Sequence, residues 1–164
     1  MSAPTIDTKT VSDRRALRFA SSADVLADVR RLLDAEKRGS LRRTGNWTLG
    51  QNLGHLAAWI EYGYTGFPMK PPSLLMRLII KLMKKKFLSG PPIVGFRIPG
   101  VAAGTYATED MPAEVGFEKL SRAWQRLDAA PPAAPNPAFG KLTHEEWKML
   151  HLRHAEGHLG FLHP

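Results

Sequence analysis

Apolar residues recur at helical spacing in several long stretches of this chain. From Ser22 onward, Val25, Leu26, Val29, Leu32 and Leu33 share one face, with Asp24, Asp28, Arg30, Arg31 and Glu36 on the other, and Gly39 supplies a stop. Thr48 and Gln51 form a capping-box pattern, in which hydroxyl and amide satisfy the free N–H groups of a helix start. The helix they open is predicted over residues 49–66. Leu53, Leu56, Ile60, Tyr64 and Phe67 make its core stripe, and Asn52, His55, Trp59 and Tyr62 the stripe beside it.

Phe67-Pro68 and the next prolines turn the chain away. Residues 73–88 again read as one helix, with Leu75, Leu78, Ile79, Leu82 and Met83 apolar and Arg77, Lys81, Lys84 and Lys85 on a basic side. Residues 90–110 lack periodicity, carry Pro91, Pro92 and Pro99, and read as a long crossover. Pro112 and the repeat Phe117, Leu120, Trp124, Leu127 mark a helix over about 112–129, and the prolines between 131 and 137 end it. A second capping box, Thr143 with Glu146, opens a last helix expected to reach Leu162. The pattern therefore predicts an all-α fold: a four-helix bundle with a long crossover, an accessory basic amphipathic helix and no strand. Residues 1–12 read as a loose N-terminus, and 13–164 as a single domain.

Composition narrows the function. With no cysteine, disulfides, thiolate ligands and cysteine nucleophiles are excluded, so any metal must bind nitrogen or oxygen. No apolar segment follows Arg14, Arg15 and Arg18, and no run of eighteen apolar residues occurs, so neither a signal peptide nor a membrane span is expected and a cytoplasmic location is the default. The net charge of +8 falls in three clusters without a nucleic-acid motif, which argues against nucleic acid as partner. For the basic helix 74–88, covering the bundle or forming a homodimer is the expected role. A binding module that works through this helix on an anionic membrane surface is the alternative.

The last helix carries the sharpest chemistry. At about 100° per residue, with Trp147 as zero, His154 and His158 lie within about 20°, His151 at about 40°, and Leu150, Phe161 and Leu162 within about 60°. Glu145, Lys148, Arg153 and Glu156 fall on the opposite half. Burying several imidazoles is costly unless their nitrogens find partners. A divalent metal is one such partner, since neutral imidazoles four apart on a helix point the same way. His55, beside the buried stripe of its own helix, is the third ligand candidate. His151 is expected in a supporting role as hydrogen-bond donor behind the ligands, His144 to face solvent from its capping box, and His163 to fray. A metal-free core of hydrogen-bonded histidines is the competing reading. Zinc or nickel suits such a site first, with iron and manganese as further candidates.

The motif Gln51-Asn52-Leu53-Gly54-His55-Leu56-Ala57, then Phe139-Gly140-Lys141-Leu142-Thr143 with Glu146-Trp147, then His154-x-x-x-His158, resembles the DinB-like metalloenzymes. It lies close to a branch known only as a domain of unknown function. The resemblance spans nearly the whole chain. It implies a four-helix bundle with a long crossover, and a metal held by His55, His154 and His158. It also implies a metal-dependent transferase or hydrolase acting on a small molecule, a thiol for some members. One position departs: many relatives carry a histidine immediately before the last ligand, where this chain has Gly157. No carboxylate is obviously placed as general base, Glu61 lying about 120° from His55 on its helix.

Overall fold

The computed structural model describes residues 5–69 and 71–164. In chain order the elements are α1 (Ser22–Lys37), β1 (Arg42–Arg43), α2 (Leu49–Thr65), α3 (Leu74–Leu82), α4 (Lys84–Ser89), α5 (Ala113–Ala129), α6 (His144–Leu159) and β2 (Leu162–His163). The fold is thus mostly helical. None of the described helices is long and apolar enough to cross a membrane.

Three helices begin with reciprocal capping boxes: Ser21 with Asp24, Thr48 with Gln51, and Thr143 with Glu146. Each box satisfies N–H groups that a helix start leaves open. The first was not anticipated from the sequence. α1, α2, α5 and α6 share one core, with Val29 and Leu32, Leu53 and Ile60, Leu120 and Trp124, and Trp147 and Leu159 all buried in it.

Glycine permits the closest approaches. A Cβ on Gly50 would stand 1.8 Å from the Met111 carbonyl oxygen, and one on Gly116 would stand 2.8 Å from Leu53 Cβ. Residues 106–111, the end of the crossover, therefore lie directly on the first half of α2, and α5 packs against it as well. The contact is reinforced by polar groups: Gln51 Nε2 donates to the Thr108 carbonyl at 3.1 Å and the Thr48 hydroxyl to Asp110 Oδ1 at 2.6 Å.

The segment before α1 makes defined polar contacts with the body over its described residues. Ile6 exchanges two hydrogen bonds with the Asn46 side chain, each 2.8 Å. Further on, Arg15 grips both oxygens of Asp28, at 2.8 and 2.7 Å, and also donates to the Leu159 carbonyl. Phe19 N–H donates to Glu156 at 2.6 Å, and Arg153 donates to the Phe19 carbonyl at 2.6 Å. Residues 1–4 of the expected loose terminus lie outside the described part.

These contacts correct the expected faces of α1 and α6. Asp28, Arg153 and Glu156, placed on solvent faces by the pattern, are buried. The reason is that residues 14–20 cover those faces as extended chain, whose backbone groups need polar partners. Two further expectations change. α6 ends at Leu159, short of Leu162, and Leu162-His163 pairs antiparallel with Arg42-Arg43 as a small two-stranded sheet. The single helix expected over 73–88 is broken at Met83 (φ −88°, ψ 0°). α4 packs on the body, burying Leu88, pairing Lys84 with Glu146 at 2.6 Å and setting Phe87 edge-on to Phe139. α3 is left largely uncovered among the described residues: only its Ile80 is even partly buried.

The contrast between two glycines is testable. Gly50→Ala drives a methyl into backbone and is expected to destabilise by about 1–3 kcal/mol. Gly54→Ala meets only the flexible end of Met111, 2.4 Å from Cε, while gaining up to about 1 kcal/mol of helix propensity, and should be close to neutral. Urea denaturation of both variants measures the difference; equal stabilities would contradict the backbone contact.

Candidate metal centre

The centre is built from the middle of α2 and the second half of α6. α2 is buried almost continuously from Leu49 to Ala57, which carries His55 inside, and the i, i+4 spacing of α6 turns His154 and His158 toward it. One ring nitrogen from each of His55, His154 and His158 lies within 4.8 Å of the others, and His55 Nε2 is 3.2 Å from His154 Nε2. The three side chains nominated from the sequence are thus brought together across 99 residues of chain.

Hydrogen bonds at the far side of two rings decide which nitrogens face inward. His55 Nδ1 is 2.9 Å from the Tyr106 carbonyl oxygen, which can only accept, so Nδ1 carries the proton and Nε2 presents a lone pair. His158 Nδ1 is 3.2 Å from Asn52 Oδ1. The Asn52 amide is itself oriented by donating from Nδ2 to the Thr48 carbonyl at 2.8 Å, the group that also starts the helix. His158 is therefore held in the same Nδ1–H tautomer. Residue 107 comes next at φ 57°, a left-handed conformation rare for alanine, directly after the carbonyl that holds His55.

Aromatic rings wall the cluster. Trp47 stacks on His158 (5.2 Å between centroids, 25°) and meets His55 edge-on at 4.9 Å, while Trp59 lies tilted against His55 and edge-on to His154. The Trp59 indole N–H is buried there without a hydrogen-bond partner among the described residues. Burial in this wall pushes the His55 pKa down to about 4, against a smaller opposing effect of the Tyr106 carbonyl. It drives those of His154 and His158 well below the ordinary value too, with mutual repulsion among the imidazoles adding to the effect. All three rings are neutral at pH 7, the form that binds metals.

The other nominated residues lie elsewhere. His151 is buried, stacked on Trp147 (6.0 Å, 9°) and edge-on to Trp124, with no partner at Nδ1 and no hydrogen bond to the three histidines among those described. Among the described residues it is an imidazole packed between two indoles. His144 is half-buried and bonds the Leu127 carbonyl, so it does not simply face solvent. His163 is paired in β2 with Arg42 and does not fray. Glu61 is bound by Arg126, Asp28 by Arg15 and Arg31, and Glu156 by Phe19 and Arg153. Asn52, Tyr106 and Trp47 are the groups that sequence reasoning did not assign. Asn52 had a signal, sharing the His55 stripe, whereas Tyr106 acts through its main chain and had none.

A family model described as "Protein of unknown function (DUF1569)" matches residues 11–164. The chain belongs to this family. No curated protein and no solved structure matches it. In this DUF1569 protein, the matched residues include the whole histidine cluster and both groups that orient it.

The buried imidazoles make stability depend on pH. His55 is neutral in the fold down to about 4 and titrates near 6.5 when unfolded, so between these values the unfolded chain binds more protons and stability is lost as the pH is lowered. His151, pushed by burial to about 3, acts with the same sign. Each such histidine contributes a slope of up to about 1.4 kcal/mol per pH unit. Denaturant titrations of chelator-treated protein from about pH 7 to about pH 5 should record the decline, and a flat profile would contradict neutral buried rings.

Proposed function

We propose that this DUF1569 protein binds one divalent metal through His55, His154 and His158, and that the metal is the centre of its activity. The observation that carries this reading is the tautomer arrangement. Two imidazoles donate Nδ1–H to fixed carbonyl oxygens and turn Nε2 lone pairs inward, the outer-shell pattern typical of histidine ligands. Nitrogens around a tetrahedral ion with bonds of about 2.0–2.1 Å are separated by about 3.3 Å, close to the 3.2 Å between His55 and His154. The donor set contains nitrogen only, which suits zinc or nickel.

Three protein ligands leave a position open, the arrangement of catalytic zinc sites. A metal there would supply a nucleophile at neutral pH by lowering the pKa of a thiol or water at that position. The chain's own residues perform the rest. Asn52 and Tyr106 fix ring orientation, Trp47 and Trp59 limit water, and the unpartnered Trp59 N–H is available to an incoming acceptor. Glu61, the carboxylate weighed from the sequence, is engaged by Arg126, so proton transfer is assigned to the bound nucleophile itself or to the substrate.

The resemblance to DinB-like proteins supports reading α1, α2, α5 and α6 as a four-helix bundle, with the long crossover of residues 90–110 lying in the connection between α2 and α5. It also supports a transferase or hydrolase acting on a small molecule, with a thiol as first choice. A metal-free histidine core is the second reading, favoured by one observation: at 3.2 Å the His55 and His154 nitrogens can share a proton as a hydrogen bond.

Calorimetric titration of untagged, chelator-treated protein with zinc, nickel and manganese separates the two. One ion per chain is expected, with binding abolished in His154→Ala; unchanged binding in that variant, or none in the wild type, overturns the metal reading. Asn52→Ala should weaken binding by about 10- to 100-fold, and Asn52→Asp, which keeps an acceptor for His158, should weaken it far less.

A further inference from the structure

The connection between α2 and α5 holds a surface that the candidate metal centre does not use. Between Glu61 and Glu109 the chain contains no Asp or Glu but carries Lys70, Arg77, Lys81, Lys84, Lys85, Lys86 and Arg97, so this stretch holds seven of the eight net positive charges. Within it α3 stands away from the body with its apolar side in water. Leu74 is 81% exposed, Leu75 70% and Leu82 78%, and Met76, Leu78 and Ile79 are exposed as well. With Leu75 as zero, Leu82, Ile79 and Leu78 fall within about 60° on either side, whereas Arg77 and Lys81 lie about 120–160° away. Phe96 and Ile93, further along the same stretch, are also exposed.

We propose that α3 docks this protein onto the surface of an anionic phospholipid membrane, apolar side among the acyl chains and cations at the headgroups. Soluble proteins rarely leave a contiguous face of this kind in water without a use for it. An in-plane amphipathic helix needs a wide aliphatic face, flanking cations and low acidity, and α3 with its neighbours has all three. The charge pattern selects this occupant. Every α3 side chain is aliphatic or cationic, with no neutral polar or acidic group to specify a protein partner. A second copy would bring an identical cationic stretch against the first, which like-charge repulsion opposes. Lys84 is engaged by Glu146, leaving Arg77, Lys81, Lys85 and Lys86 exposed for headgroups.

The test uses purified full-length protein sedimented with vesicles of phosphatidylcholine alone or with about 30% phosphatidylglycerol. Binding is expected only to the anionic vesicles, lost at about 0.5 M salt. Lys81→Ala and Lys85→Ala should each weaken it by roughly fivefold. Leu75→Asp combined with Leu82→Asp should abolish it while helicity by circular dichroism is kept, since both positions are exposed in the fold. No sedimentation with anionic vesicles at low salt overturns the proposal. So does equal binding to neutral vesicles, or a stable dimer that the double Leu→Asp variant converts to monomer. None of these readouts depends on metal.

Discussion

The close approach of residues 106–111 and α5 to the first half of α2, which Gly50, Gly54 and Gly116 permit, sets the surroundings of His55. A side chain at Gly50 would push the crossover outward, and with it the Tyr106 carbonyl that fixes the His55 proton. Packing, capping and site geometry meet on this one helix. Thr48 caps it, receives the Asn52 amide at its carbonyl and ties to Asp110 in the crossover. The same few contacts that start the helix orient one histidine from above and another through Asn52.

Charge is distributed with equal economy at the C-terminal end of α6. Its final carbonyls, at Gly157, Leu159 and Gly160, receive Arg14, Arg15 and the Arg15 backbone N–H, which answers both their lack of helical partners and the negative end of the helix dipole. Arg14 also lies over the Phe161 ring at 4.5 Å. The arginines near the N-terminus, a cationic cluster on paper, are thus largely occupied within the fold. Between Glu61 and Glu109, by contrast, the cations have no acidic residue beside them in the sequence.

Helix positions and starts were readable because periodicity and capping are local: the boxes at Thr48 and Thr143 and the stripes of α2 and α5 all appear where the spacing puts them. The three histidines were readable for a related reason, since imidazoles in the middle of an apolar face conflict with their surroundings unless something joins them. Local pattern fails where the partner is distant or irregular. Asp28, Arg153 and Glu156 look like solvent residues until extended chain from 130 positions away or more, in the case of α6, is laid over them. The apolar stripe of α3 reads as core, because amphipathicity records that a face is greasy and not what meets it.

Tyr106 supports the centre through its main chain alone. The acceptor for His55 is a peptide oxygen, common to all twenty amino acids, so its contribution is carried by the route of the loop and not by any letter of the sequence. In this chain a change of side chain at position 106 would leave that acceptor in place, so long as the turn at Ala107 and the seat against Gly50 are kept. What holds the imidazole is then the length of the loop and the small residues beneath it, features that a search for functional side chains alone passes over.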